Sequence, residues 1–328
     1  MRFCKISLKP IERNAKYPEY TNAEFRKLFG SLKVNPQLAF TRQDLFEESP
    51  RLSQGMSLSG MQQKLSFTLN DQMDLVPTAT KGDYILKPSP EEYPHAAENE
   101  HCAMVSSRLL GIETALCGLI AFQDGELVYL TKRFDRTPQG KLHQEDLAQG
   151  FNKNSASKYS ESYESAGHLI SQMTRGKIAV VRDFFYRVVH AYLIGNDDMH
   201  LKNICLLKLV ENTGLFYDKL TPHYDCLFTH AFKNYSAQGV LALDLLKEEA
   251  EGLFSEAYEK AGYYTSADFR ILGNRLGLRD QLLASFFRKV TQLETPLRQL
   301  IQHSYMPLDM KNRAESLVRE RMKALNTP

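Results

Sequence analysis

The sequence predicts an α+β fold of two lobes, a small strand-rich N-terminal lobe over residues 1–133 and a larger helical C-terminal lobe over 134–328. Three observations predict it. Short β-rich runs dominate the first half, amphipathic helical spacing dominates the second, and Pro138 and Gly140 punctuate the join near residues 132–140. A length of 328 residues is about two domains' worth.

Residues 1–10 (MRFCKISLKP) alternate apolar and polar side chains and lack the apolar stretch of a signal peptide. Residues 64–69 alternate with period two, 83–87 (DYILK) form a β-rich run that Pro88 ends, and 126–134 read as a third strand. Between the last two, residues 96–110 have helical spacing, with Gly111 as the stop. The Ser-, Tyr- and Asn-rich stretch 152–165 reads as a mobile loop. Residues 178–194 place Val181, Phe184 or Phe185, Val188 and Tyr192 on one helical face. Residues 204–207 and 215–220 read as short strands, and from about Leu241 the chain reads as successive amphipathic helices, the longest at 281–304 and 312–325.

Composition excludes several classes. With 43% hydrophobic residues, 18 Gly and 13 Pro, the chain is neither disordered nor collagen-like. The 41 Lys+Arg against 39 Asp+Glu leave a net charge of +2, without the basic footprint of phosphate-dominated nucleic-acid binding. Cys4, Cys102, Cys117, Cys205 and Cys226 show no C-x-x-C or zinc-type spacing and read as reduced, core-filling thiols. No run approaches the ~18 apolar residues of a membrane span, so the expected place is the cytoplasm, with export into another cell left open.

The chemistry concentrates in four segments. Residues 195–203 (GNDDMHLKN) follow a strongly apolar helix and set Asp198 and Asn203 five residues apart. That is the spacing of the carboxylate that orients an attacking hydroxyl and the carboxamide that holds a metal ion in a kinase catalytic loop. A polar turn with capping side chains would read the same way. Asp225, in residues 220–227 (LTPHYDCL), follows a second strand, where such a site needs another chelating carboxylate; turn chemistry is the alternative. Lys87, at the end of a buried strand, requires an anion, either a nucleotide phosphate or a carboxylate from the helix carrying Glu98 and Glu100, unless it snorkels to solvent. Residues 57–64 (SLSGMQQK) are small enough for backbone N–H groups to approach a phosphate, as an ordinary serine-rich turn also would be.

Together with ENEHCAM (98–104), KRFDR (132–136) and LHQEDLAQ (142–149), these segments resemble the HipA-family serine/threonine kinases of bacterial toxin–antitoxin systems, from about residue 50 to 240. The resemblance implies a protein-kinase-like fold, ATP and Mg²⁺ as cofactors, and transfer of the γ-phosphate to protein Ser or Thr. It implies Asp198 as catalytic base and Asn203 and Asp225 as Mg²⁺ ligands. Lys87 would contact the phosphates, with Ser59, Gly60, Met61, Gln62, Gln63 and Lys64 covering them. Lys132, Arg133 and Phe134 would form the adenine-contacting hinge, and His200, Lys202 and Tyr224 would line the same site. Two residues depart from the usual pattern, Lys132 where Glu is common and Asp197 where Thr is common; the second adds a charge beside the base.

Only some fifty residues precede the phosphate loop, similar to the short HipT-type toxins, in which a missing N-terminal subdomain is a separate HipS-like protein beside a DNA-binding HipB-like antitoxin. By the same resemblance Ser57 and Ser59 are autophosphorylation sites. A phosphoserine would bring about −1.5 to −2 charge into a site built for phosphate and shut the kinase off. The implied target is an aminoacyl-tRNA synthetase, with tryptophanyl favoured because this chain has no Trp, which chance also explains. A small-molecule phosphotransferase, or a pseudokinase scaffold for an antitoxin–DNA complex, are the other functions the motifs allow. Direct nucleic-acid or membrane binding is not expected.

Overall fold

The computed structural model describes residues 2–45, 47, 63–79, 82–237 and 239–327. The segment 57–64 therefore contributes only Gln63 and Lys64; Ser57, Ser59, Gly60, Met61 and Gln62 lie outside the described residues. Two compact units are present. The first comprises Met1–Val105, Ala115–Arg136 and Leu300–Pro307, the second Ser106–Thr114, Thr137–Gln299 and Leu308–Pro328. The chain passes between the two units at five points, one of them at 136/137.

In the first unit an antiparallel sheet runs in the order Leu75–Pro77, Leu65–Leu69, Tyr84–Lys87, Leu127–Lys132, Cys117–Ala121. Leu65 pairs with Leu86, Phe67 with Tyr84 and Leu130 with Leu86, so one face presents a continuous apolar surface. The helix Asn22–Phe29 packs there through Phe25, Leu28 and Phe29. Each buried side chain of this kind contributes roughly 1.5–3 kcal/mol of transfer free energy. Lys87 alternates onto the other face, opposite Tyr129. Gly82, just before this strand, has no room for a side chain, since a Cβ there would meet the Ser66 hydroxyl at 2.1 Å and the Phe67 carbonyl at 2.7 Å.

The second unit is built on the helix Ile178–Ile194, which packs against Tyr163–Met173 and Leu308–Asn326. Val181, Phe184, Phe185, Val188 and Tyr192 are all buried, so both phenylalanines, rather than one of them, are core. A small antiparallel sheet, Gln144–Asp146, Cys205–Leu207, Lys219–Leu220, completes it. All five cysteines are buried and none is in a disulfide. Among the described residues no helix is long and apolar enough to cross a membrane.

Several expectations require correction. The 96–110 segment, by contrast, is helical as expected, with Ala96–Ser107 α-helical and Arg108–Leu110 a 3-10 turn that Gly111 stops. Residues 215–220 pair only at Lys219–Leu220: the Asn212 amide donates to Asp218 Oδ2 at 2.6 Å and to the Phe216 carbonyl at 2.9 Å, closing a turn that leaves Leu215 88% exposed. Helices resume after Leu241 only at Glu256–Ala261, preceded by a 3-10 turn at Lys247–Glu251. The 281–304 pattern is two helices, Asp280–Thr291 and Glu294–His303, because Pro296 fits the first turn of a helix but not its interior. The stretch 152–165 holds a 3-10 turn, Ser155–Ser157, and the start of the Tyr163–Met173 helix, capped by Ser162.

Candidate active site

The loop 195–203 begins where Gly195 stops the apolar helix in the left-handed conformation, at φ 63°. A Cβ there would sit 2.3 Å from Leu317, so the turn needs glycine twice over. The loop then closes on itself. The Asn196 side-chain carbonyl accepts from the Asp198 N–H at 3.3 Å, and the Asn203 amide donates back to the Asp198 carbonyl at 2.9 Å. That bond uses the Asn203 nitrogen and not its carboxamide oxygen, an acceptor.

Asp198 and Asp197 face different surroundings. The Asp198 side chain is 31% exposed; its Oδ1 accepts from the Tyr159 hydroxyl at 2.7 Å and lies 3.7 Å from His200 Nε2. Asp197 is fully buried, accepts from the Tyr235 hydroxyl at 2.7 Å, and has His230 Nε2 at 3.6 Å. The extra charge at this position is thus absorbed by its own pocket. Burial pushes His200 below the ordinary histidine range, against the pull of Asp198 and Asp225 upward.

Asp225 is half-buried and sits at φ 58°, a conformation that Asp tolerates better than most residues. Its neighbours hold it there. The Asn196 amide reaches Cys226 Sγ at 3.5 Å, so one buried asparagine ties Asp198 to the residue after Asp225. The Tyr224 hydroxyl lies 2.8 Å from Cys205 Sγ, within hydrogen-bonding distance. Hard oxygen donors, the Asn203 carboxamide and the Asp225 carboxylate, suit Mg²⁺. Lys202 donates to Ser155 Oγ at 2.9 Å.

In the first unit Lys87 is 4% exposed and its Nζ meets Glu100 Oε1 at 2.5 Å, with the Tyr129 ring centroid 5.3 Å away. Of the two helix glutamates it is Glu100 that pairs; Glu98 takes His95 at 3.0 Å. Removing either partner of such a buried pair leaves an uncompensated charge, typically a loss of about 3–5 kcal/mol. Lys132 and Arg133 spend their N–H groups inside the fold, on the Leu116 carbonyl at 2.7 Å and the Asp83 carbonyl at 2.8 Å. The Arg133 guanidinium forks onto Asp135 at 2.9 and 2.8 Å. An adenine contact through those two N–H groups has no donor to offer, and Phe134 follows them half-buried.

Sequence reasoning did not find Tyr159, Tyr235, His230 or Asn196, nor the buried group of His190, His223 and Cys226 behind Asp225. His190 Nε2 bonds Ser106 Oγ at 2.8 Å and His223 Nδ1 bonds Ser107 Oγ at 3.2 Å. His190 Nδ1 lies 4.0 Å from Cys226 Sγ, wider than the roughly 3.3–3.8 Å edge that 2.0–2.3 Å tetrahedral zinc bonds require. These rings serve as neutral hydrogen-bonding core, and desolvation pushes His190 down to about 3.

Residues 56–295 match the model of the family described as the HipA-like C-terminal domain. A Haemophilus influenzae protein named "Putative kinase" is 33% identical over 344 aligned residues, covering 99% of this chain and 98% of that protein. A Sinorhizobium fredii protein, "Putative kinase Y4dM", is 34% identical over 189 residues, 53% of this chain and 45% of that one. Among solved structures, HipA in the Shewanella oneidensis MR-1 complex of HipA, HipB and operator DNA has a TM-score of 0.63 at 19% identity. It is matched over 82% of this chain, which spans 65% of that HipA's length. The Helicobacter pylori proinflammatory kinase CtkA has a TM-score of 0.53 at 15% identity, over 82% of this chain and 89% of CtkA.

Proposed function

Because the chain belongs to the HipA-like kinase family, with an α+β kinase-like fold, we propose that it transfers the γ-phosphate of ATP to serine or threonine of a protein. The observation that carries this reading is the closed 195–203 loop, in which the Asn203 amide fixes the Asp198 main chain while the Asp198 carboxylate stays partly exposed. Asp198 accepts the proton of the attacking hydroxyl. Asn203 and Asp225 hold Mg²⁺ through oxygen, and the ion, when bound, neutralises phosphate charge. Lys87, oriented by Glu100, binds phosphate. Gln63, Lys64, Phe134, His200 and Lys202 are retained as nucleotide-contacting residues; the engaged groups of Lys132, Arg133 and Tyr224 argue for a lesser part.

We further propose a toxin of the short HipT-like kind, cytoplasmic and held by a HipB-like DNA-binding antitoxin and a HipS-like protein. The Shewanella HipA, seen with HipB and operator DNA, supports this kind of partner. An aminoacyl-tRNA synthetase, tryptophanyl favoured, is the target, and Ser57 and Ser59 are the self-inhibitory phosphorylation sites. Incubation with Mg·ATP and tryptophanyl-tRNA synthetase, followed by mass spectrometry, yields phosphoserine or phosphothreonine on the synthetase and on the loop. Asp198→Ala and Asp225→Asn abolish both. Equal labelling by these variants overturns the assignment; ATP turnover with a metabolite and no protein label identifies a small-molecule phosphotransferase, and nucleotide binding without turnover after phosphatase treatment identifies a pseudokinase.

A further inference from the structure

The segment 155–160 belongs to no catalytic motif, yet it is tied to the loop 195–203 at four points. Ser155 Oγ accepts from Lys202, and the Lys158 carbonyl accepts from the Leu201 N–H at 3.2 Å. The Tyr159 hydroxyl donates to Asp198 Oδ1 at 2.7 Å, and its ring stands edge-on to His200, centroids 5.1 Å apart at 74°. We infer that Tyr159 is a positioning residue for phosphoryl transfer: it fixes one carboxylate oxygen of Asp198 and so aims the other at the acceptor hydroxyl. The inference rests on Asp198 being the base.

The main chain of Asp198 is already held by Asn196 and Asn203, so the remaining freedom is in the side chain. The terminal torsion of an aspartate is broad and two-fold, which leaves a carboxylate poorly aimed unless something outside it decides. His200 Nε2, at 3.7 Å from the same oxygen, is beyond hydrogen-bonding distance. The phenol is thus the directing contact. It remains a donor at working pH, since burial first and the bond to Asp198 second push its ionisation well above the ordinary tyrosine value. Only Oδ1 is engaged, and the Asp198 side chain keeps about a third of its surface exposed, so the contact orients the carboxylate without covering it. The Lys158 ammonium, 4.9 Å from the Tyr159 ring centroid, braces the ring in turn.

Tyr159→Phe keeps the ring and deletes only the hydroxyl. In steady-state assays of protein phosphorylation kcat is expected to fall about 10–100-fold, the scale of misaimed reacting groups, while KM for ATP, Mg·ATP affinity and the melting temperature stay unchanged. Ser155→Ala, which loosens the same segment from the other end, gives a smaller fall of the same kind. An unchanged or raised kcat, or a fall matched by a rise in KM for ATP, overturns the inference; a raised kcat identifies an obstructing contact instead. NMR of protein carrying ¹³Cζ-tyrosine, with the Tyr159 signal identified by its loss in Tyr159→Phe, tests the contact without activity. At pH 10.5 Tyr159 stays protonated in the wild type and ionises further in Asp198→Asn; equal ionisation overturns the inference. If the wild type transfers no phosphate at all, the kinase reading fails while this spectrum still decides the contact.

Discussion

Asp197 and Asp198 are adjacent in sequence, each accepts a tyrosine hydroxyl at 2.7 Å, and they have opposite fates. Asp197 is sealed among Tyr235 and His230, whereas Asp198 remains 31% exposed. A buried carboxylate whose partners are all internal stabilises the loop and offers nothing to a substrate. An exposed one with a single directing partner can accept a proton from outside. Side-chain exposure, more than residue type or spacing, separates the two acids, and it is what the proposed role of Asp198 as base rests on.

That contrast can be broken by experiment. Asp198→Ala is expected to reduce phosphoryl transfer by roughly 10³-fold, within the range for losing a general base, with stability changed by less than about 0.5 kcal/mol. Asp197→Ala should do the reverse in urea denaturation, losing about 2–4 kcal/mol as the part-buried Tyr235 hydroxyl loses its acceptor. A stable but inactive Asp197→Ala protein would give Asp197 the chemical role and dissolve the distinction.

The next effect depends on pH. His190 is held neutral down to about 3 in the fold, whereas an unfolded histidine takes up its proton near 6.5. As pH falls below 6.5 the unfolded state binds a proton that the folded state refuses, so stability falls with pH across the window from 6.5 to about 3. At pH 5 the loss from His190 alone is about 2 kcal/mol relative to pH 8, with His223 adding in the same direction. Denaturation of His190→Gln at the two pH values should show a smaller difference; an equal difference would remove His190 as its source. The smallest effect is Tyr235→Phe, expected to cost about 1 kcal/mol and leave kcat unchanged, in contrast to Tyr159→Phe.

What could be read from the sequence was local. The helix Ile178–Ile194 is apolar on nearly every side, and the residues that stop it and follow it carry their spacing openly. Lys87 announced its need for a counter-charge, and the helix that supplied it was visible, although the choice of Glu100 over Glu98 depended on the helix's rotation. Tyr159 could not be read, because its partner is 39 residues away and a tyrosine in a serine-rich stretch has no pattern of its own. Asn196 looked like a turn residue, and its two bonds, to Asp198 and Cys226, join segments 30 residues apart. The helix break before Glu294 was marked by Pro296, whose meaning depends on whether it opens a helix or interrupts one.

Residues 300–307, deep in the helical half of the sequence, belong to the first unit. There Tyr305 donates its hydroxyl to the Phe3 carbonyl, His303 stacks on Phe3 with centroids 3.7 Å apart, and Ile301 is fully buried. The chain consequently passes from one unit to the other at 105/106, 114/115, 136/137, 299/300 and 307/308. Expressed as separate polypeptides cut at 136/137, the amino-terminal piece would lack a component of its own packing, and the carboxy-terminal piece would carry an orphaned apolar insert. Complementation between two such fragments, rather than independent folding of either, is the behaviour this threading dictates.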